Sequence, residues 1–211
     1  MQLGSELKGF LPFSLIDWPG KVCAVLFFAG CNFACPTCHN FILATDGASL
    51  PSLDWEKVTD ELRKKKKWLD GVVLTGGEVT LLQYLPELCF YLKKIGYLIK
   101  VDSNGFQPEV IENLFRQDLV ELFAIDVKGP WEKYSQLVGK NIAPEDIKNK
   151  MEKIFTLAKK HQHPERFLFR LTKVPMLSDE DVQQVKTYLP PNFELKIQKY
   201  KPVKKGGFNY A

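Results

Sequence analysis

Short apolar segments alternate with longer amphipathic segments along most of this chain, and this alternation restricts the possible folds more than any other feature. The apolar segments are five to eight residues long and rich in β-branched and aromatic residues, which is typical of strands buried on both faces. The predicted strands are Val22–Ala29, Gly71–Thr75, Tyr97–Asp102, Glu121–Val127, Arg166–Thr172 and Phe193–Gln198.

The segments between the predicted strands carry apolar residues at three- and four-residue steps, which predicts amphipathic helices. Strands that alternate with helices form parallel sheets covered by the crossover helices. Six such units in 211 residues are too few for a closed eight-stranded barrel. We therefore predict an α/β fold, an incomplete TIM-like (β/α)6 barrel. The predicted helices are Trp55–Leu69, Leu81–Lys94, Pro108–Arg116, Pro144–His161 and Asp179–Leu189.

A chain of this length fits one domain, and we expect residues 1–211 to form a single one. Residues 22–200 would form the partial barrel, and residues 201–211 a basic tail. Residues 1–21 form a short N-terminal extension, in which Leu7–Lys21 is expected to be a lid or a small hairpin.

Composition and charge exclude several classes of protein. Hydrophobic residues make up 45% and charged residues 26% of the chain, which is ordinary for a globular protein with a core. The net charge of +4 is too small to indicate nucleic-acid binding, and the basic run at residues 63–67 suits the dipole of a predicted helix end. No apolar run is long enough to span a membrane, and the first residues do not resemble a signal peptide. We expect a cytoplasmic protein without membrane or nucleic-acid partners.

The five cysteines are unevenly distributed. Cys31, Cys35 and Cys38 lie within eight residues in a polar loop, with C-x3-C-x2-C spacing. Cys23 lies in a predicted strand and Cys89 on the apolar stripe of a predicted helix, so both are expected to be small core residues. Clustering of this kind indicates a metal or redox site rather than a disulfide framework.

Three kinds of site are compatible with the cysteine spacing. A [4Fe–4S] cluster is usually held by four thiolates, so three ligands would leave one iron open to a substrate. A structural zinc site needs a fourth ligand, for which His39, adjacent to Cys38, is poorly placed. A thioredoxin-like dithiol could use Cys35 and Cys38 but does not need Cys31.

Polar residues and glycines follow the predicted strands at the points where the strands end. The carboxyl ends of parallel strands meet at one mouth of a barrel, where such folds place their active sites. We therefore expect these side chains to surround one site together with the cysteines. They are Gly76, Gly77 and Glu78 after the second strand, Asp102, Ser103 and Asn104 at the third, Asp126 and Lys128 at the fourth, and Arg170 in the fifth.

These motifs together resemble the radical S-adenosylmethionine superfamily. The segments Phe13–Lys21 and Cys31–Asn40 are similar to the activating proteins of anaerobic ribonucleoside-triphosphate reductase. The likeness continues through Thr75–Glu78, Asp102–Gly105 and Asp126–Pro130, so it covers most of the chain. It implies a [4Fe–4S] cluster on the three cysteines and S-adenosylmethionine as the second cofactor.

The resemblance also implies roles for the cofactor-binding residues. Gly76, Gly77 and Glu78 would meet the methionyl amino group, with Val79 where proline is common. Thr37 stands where the family usually has an aromatic residue near the adenine.

Further roles are implied at the next three strand ends. Residues 102–104 would lie near the ribose and carboxylate of the cofactor, with Ser103 in place of the usual threonine. In related activating enzymes, aspartates at the positions of Asp102 and Asp126 help to hold a monovalent cation. Lys128 and Arg170 would face a carboxylate or the substrate backbone, and we count Lys128 with the cysteines as catalytic.

The implied reaction is the reductive cleavage of S-adenosylmethionine to a 5′-deoxyadenosyl radical, which takes hydrogen from a glycine of a partner glycyl radical enzyme. Anaerobic ribonucleotide reductase is the expected partner, with a flavodoxin- or ferredoxin-type protein as electron donor. Two alternatives stay open: an enzyme that acts on a small molecule and resembles 7-carboxy-7-deazaguanine synthase, and a zinc-stabilised binding module.

Overall fold

A computed structural model describes residues 5–161 and 163–202 of the chain. Within these residues, seven strands form one sheet in which neighbours in sequence are also neighbours in space. Most of the predicted basic tail, from residue 203 onward, lies outside the described residues. The strands are β1 Leu7–Ser14, β2 Cys23–Phe28, β3 Gly71–Gly76, β4 Leu98–Ser103, β5 Leu122–Asp126, β6 Phe167–Lys173 and β7 Leu195–Lys199.

The six predicted strands are all present as β2 to β7, and each pairs in parallel with the next. The sheet as described has β1 and β7 at its two edges, so it does not close. This confirms the predicted α/β fold, an incomplete barrel with crossover helices. No helix within the described ranges is long and apolar enough to cross a bilayer.

Five of the seven helices match the predicted ones, with shorter boundaries at three of them. The helix expected to begin at Leu81 begins instead at Leu85, because a 3₁₀ turn over Val79–Leu81 precedes it. The side chain of Glu78 stabilises that turn by accepting a hydrogen bond from the backbone N–H of Thr80. The helices are α1 Phe41–Thr45, α2 Trp55–Lys65, α3 Leu85–Ile95, α4 Pro108–Arg116, α5 Tyr134–Val138, α6 Pro144–His161 and α7 Asp179–Lys186.

The segment predicted to be a lid or a small hairpin forms the edge strand β1. It runs antiparallel to β2, with Leu11 opposite Val25 and Ser14 opposite Cys23. Because Cys23 is the first residue of β2, the turn that joins the two strands lies at the amino ends of the parallel strands. The mouth at the carboxyl ends is at the opposite end of the sheet.

The sheet separates two apolar layers. The larger layer lies between the outer face of the sheet and the helices and includes Cys89. The smaller layer fills the barrel interior and includes Trp18, Cys23 and Val73. Both lone cysteines are fully buried, as predicted, and burial raises the pKa of Cys23 to about 11 and that of Cys89 to about 12. Both side chains therefore stay neutral thiols.

Candidate functional site

A cavity of about 270 Å³ opens at the carboxyl ends of the parallel strands. Every site residue predicted from the sequence contributes to its wall, although the residues come from five separate segments of the chain. The lining residues include Cys31, Cys35, Thr37, Cys38, Gly76, Gly77, Glu78, Asp102, Ser103, Asn104, Asp126, Lys128 and Arg170. The structure thus brings the predicted residues together around one opening.

The paired glycines hold the cysteine-bearing loop against the end of β3. The N–H of Gly77 donates to the carbonyl of Phe28 at 2.7 Å, and the N–H of Glu78 donates to that of Gly30 at 2.8 Å. A Cβ at Gly77 would lie 2.0 Å from the carbonyl oxygen of Gly30, and a Cβ at Gly76 would lie 2.4 Å from that of Phe28. No side chain fits there, so both glycines are required by this close approach of two backbones.

The cysteine loop is fixed at three further points. The N–H of Ala34 donates to the carbonyl of Val138 at the end of α5. The side-chain amide of Asn40 donates to the carbonyl of Gly76 at 2.9 Å, which joins the end of the loop to the end of β3. The N–H of Cys38 donates to the carbonyl of Cys35 at 3.0 Å, which closes a turn between two of the thiols. The three thiols therefore have a defined placement on one wall of the cavity.

Burial raises the pKa of all three loop thiols, so a neighbouring positive charge or a bound metal is needed to favour thiolates. The ammonium of Lys128 opposes the effect of burial at Cys35 and Cys38. The backbone N–H of Phe33 donates to the sulfur of Cys31 at 3.3 Å. These donors suit sulfur atoms that carry negative charge.

The donor set fits an iron–sulfur cluster better than a single metal ion. Over residues 5–161 and 163–202, no three His, Cys, Asp or Glu side chains are close enough to share one ion, which does not favour zinc. Three thiolates on a [4Fe–4S] cluster bind three different irons and are therefore more widely spaced. The side-chain N–H₂ of Asn32 is buried beside Cys31 without a partner in the described part of the chain. A buried donor of this kind suits an acceptor such as sulfide.

Glu78 is the most constrained carboxylate at the mouth, with 3% of its surface exposed. One oxygen accepts from the N–H and hydroxyl of Thr80 and from the hydroxyl of Ser103, at 2.8 Å in the last case. The other accepts from the backbone N–H of Asn104 at 2.6 Å. Burial raises the pKa of Glu78, and these hydrogen bonds oppose that rise. The carboxylate thus joins the loop after β3 to the loop after β4.

The Asn104 side chain extends this connection to the cysteines. Its amide nitrogen donates to the side-chain Oδ1 atom of Asn32 at 2.8 Å and lies 3.9 Å from the sulfur of Cys31. A continuous set of hydrogen bonds therefore runs from Glu78 through Asn104 to the first cysteine.

Five charged side chains form a chain of ion pairs across the barrel interior. Lys100 pairs with Asp102, whose Oδ1 atom also lies 3.4 Å from Arg170. Arg170 reaches Asp126 at 2.9 Å, and Lys128 reaches the other oxygen of Asp126 at 2.8 Å. Burial would raise the pKa of Asp126, but Arg170 and Lys128 hold it at about 2. Three cations and two anions leave one surplus positive charge, which suits an anionic ligand.

Two members of this site were missed in the sequence analysis, Lys100 and Asn32. Lys100 is 1% exposed in the middle of β4. A charged residue inside an apolar strand, two positions before Asp102, is a signal that could have found it, because side chains two apart share a face. Asn32 gave no comparable signal, since a polar residue in a polar loop is ordinary.

The chain is similar to several known proteins. The sequence pattern of the radical SAM superfamily matches residues 25–189. The chain is 34% identical, over 93% of its own length and 80% of the other, to a Methanocaldococcus jannaschii protein described as a glycyl-radical enzyme activating enzyme. It is 29% identical to the pyruvate formate-lyase-activating enzyme of Clostridium pasteurianum, over 54% of this chain and 48% of that enzyme.

The likeness among solved structures concerns the fold. A structure of TYW1 superimposes with a TM-score of 0.59 at 19% identity, over 86% of this chain and 65% of that one. The family pattern spans most of the chain and most of the barrel described above. The chain therefore belongs to the radical SAM superfamily and is a radical SAM enzyme, with a [4Fe–4S] cluster and S-adenosylmethionine as its cofactors.

Proposed function

We propose that this protein is an activating enzyme that generates a glycyl radical on a partner protein, with an anaerobic ribonucleotide reductase as the expected partner. The observation that carries the proposal is the 34% identity, over nearly the whole chain, to a relative described as a glycyl-radical enzyme activating enzyme. The shorter match to a pyruvate formate-lyase-activating enzyme supports the same class of substrate.

The three loop cysteines would hold the cluster. When bound, the cofactors supply an electron and an adenosyl group that together can remove hydrogen from an unactivated carbon. The residues of this chain position and neutralise the cofactors, with no general base required at the site. Asn32, Asn104 and the N–H of Phe33 would donate hydrogen bonds to sulfur atoms near Cys31. Hydrogen bonds of this kind stabilise the more negative, reduced state of a cluster.

The ion-pair chain would hold the carboxylate of S-adenosylmethionine. Lys128 and Arg170 line the cavity, so a ligand there would face the net positive charge of the five groups. A carboxylate placed there would be paired without disturbing either aspartate. Thr37 and the backbone around it line the same cavity and are available to the adenine.

The open side of the barrel supports a protein segment as the substrate. Since β1 and β7 are the edges of the described sheet, the cavity is not enclosed by a complete ring of strands. Thr172, Val174 and Gln198 line the cavity on the β6–β7 side, and Met176 just beyond is 43% exposed. An extended loop of a partner could approach the reactive carbon from this side. The electron donor would be a flavodoxin- or ferredoxin-type protein.

The test is to mix the reconstituted protein anaerobically with a candidate reductase, a reductant and S-adenosylmethionine, and to record the electron paramagnetic resonance spectrum. We expect a glycyl doublet that disappears when the partner's radical-bearing glycine is replaced by alanine. Cys31→Ala should abolish the signal, whereas the matched Cys89→Ala should keep it. Consumption of S-adenosylmethionine with turnover of a small molecule, and no protein radical on any candidate, would contradict the proposal.

A further inference from the structure

The two aspartates at the mouth already have cations beside them from the protein itself. Asp102 accepts from the ammonium of Lys100 and from Arg170 through the same oxygen. Asp126 accepts from Arg170 through one oxygen and from Lys128 through the other. Three of the four carboxylate oxygens are therefore occupied by side-chain donors.

This arrangement does not fit the monovalent cation that the family resemblance implies between these aspartates. A hard metal cation binds through several oxygen ligands, and here most of those oxygens carry ammonium or guanidinium groups. Lys100 is especially difficult to displace, because its side chain is 2% exposed and breaking its ion pair with Asp102 would leave a buried charge uncompensated. An added cation would also face the repulsion of two buried positive charges.

We propose that Lys100 and Arg170 take the place of a monovalent cation, so that this site binds the carboxylate of S-adenosylmethionine without an added one. The inference rests on the proposed placement of that carboxylate at the ion-pair chain. Lys100 acts as a positioning residue: it is a closer partner of Asp102 than Arg170 is, so that Arg170 can share its guanidinium with Asp126 and the ligand. The charge balance supports this, since without Lys100 the remaining four groups would have no surplus positive charge.

The experiment measures the binding of S-adenosylmethionine to the cluster-containing protein by calorimetry, in choline chloride and in potassium chloride at equal ionic strength. The wild type should bind with a Kd that differs by less than about twofold between the two salts, because equal ionic strength keeps general screening constant. An increase in affinity of about tenfold or more in potassium would overturn the proposal.

The variant Lys100→Met is the second part of the experiment, since it keeps most of the length of the side chain and removes its charge. We expect its affinity to fall at least about tenfold in choline chloride and to recover partly in potassium chloride, because the oxygen of Asp102 becomes available to the metal. Equal affinity to the wild type in choline chloride, or a loss that potassium does not change, would overturn the role of Lys100. Lys57→Met, on the exposed face of α2, is the matched control and should behave as the wild type.

Two further results keep the inference separate from the proposed function. If Lys100→Met does not fold, Lys100→Arg should bind S-adenosylmethionine equally well in both salts. The wild-type affinities in the two salts then decide whether an added cation is needed. Wild-type protein that binds S-adenosylmethionine equally in both salts but forms no radical on any partner would leave this inference intact while contradicting the proposed function. Failure to bind S-adenosylmethionine in either salt would instead contradict the placement on which both depend.

Discussion

Replacement of Glu78 by glutamine tests whether this carboxylate connects two loops or contacts the cofactor directly. A carboxylate accepts at both oxygens, whereas the glutamine amide accepts at one end and donates at the other. If the amide nitrogen faces the Asn104 N–H, that buried donor loses its acceptor. In the opposite orientation the Thr80 N–H loses its acceptor instead. One buried backbone donor is left unpaired in either case.

The loss of stability in Glu78→Gln depends on how many buried donors are left without an acceptor. An unpaired buried donor costs about 1–3 kcal/mol. An amide N–H₂ that faces the Asn104 N–H would add a second group without an acceptor, whereas one that faces the Thr80 and Ser103 hydroxyls can donate to their oxygens. We therefore expect Glu78→Gln to lower the free energy of unfolding by about 1–4 kcal/mol, against the usual total of about 5–15 kcal/mol. The loss should appear without cofactors, because every hydrogen bond involved is within the protein.

Urea unfolding of the metal-free, reduced protein measures this loss. Glu87→Gln is the matched control, since Glu87 is exposed on α3 and should change stability by less than about 0.5 kcal/mol. Amide hydrogen exchange gives a local measure and should become faster in Glu78→Gln only, at Asn104 or at Thr80, whichever N–H has lost its acceptor. A loss below about 1 kcal/mol together with much weaker binding of S-adenosylmethionine would refute the connecting role and favour direct contact.

Three other predictions concern the cysteines, the glycine turn and the ion pairs. Cys31→Ala should abolish the absorbance and paramagnetic signals of the cluster, whereas Cys89→Ala should keep them at a cost of about 1–2 kcal/mol for the small cavity. Gly77→Ala should lower the free energy of unfolding by more than about 3 kcal/mol in thermal unfolding, because its Cβ would lie 2.0 Å from a backbone oxygen. The control Gly20→Ala should cost about 1 kcal/mol, because only its positive φ is unfavourable for alanine. The pKa of Asp126 is about 2, against an ordinary value of 3.8. The ionised Asp126 therefore stabilises the folded protein by at most about 2 kcal/mol above pH 4, and this contribution is lost as the pH falls toward 2. Asp126→Asn should therefore be less stable than the wild type at neutral pH, with a difference that shrinks in urea titrations below about pH 4; a constant difference would contradict the assigned pKa.

The sequence predicts the six parallel strands and the mouth because both depend on local patterns. A buried parallel strand needs an apolar run of limited length, and each run from Val22 to Gln198 satisfies this condition. The strand β1 follows no such pattern, since Gly9 and Pro12 interrupt it and its pairing with β2 is irregular at two points. Its position depends on a register that only the folded sheet supplies.

The residues at the site could be predicted, but their contacts could not. Spacing places Glu78 at a strand end, yet its hydrogen bonds come from Ser103 and Asn104, about 25 residues further along the chain. Likewise, charge alone does not show that Arg170 bridges two aspartates, because the pairing depends on how β4, β5 and β6 align across the sheet. Contacts of this range are set by strand register, which a single sequence does not specify.

The cysteine loop and the loop after β4 are joined through a few hydrogen bonds at the end of β3. Gly77 fixes the cysteine loop to the end of β3 through backbone, and Glu78, the next residue, fixes the end of β4 to the same point. The side-chain amide of Asn104, just after β4, contacts the sulfur of Cys31. The cysteine loop and the loops after β3 and β4 therefore share one anchor, Gly77 and Glu78. Since bond cleavage depends steeply on the distance between the reacting groups, a shared anchor would keep that distance constant when a substrate binds.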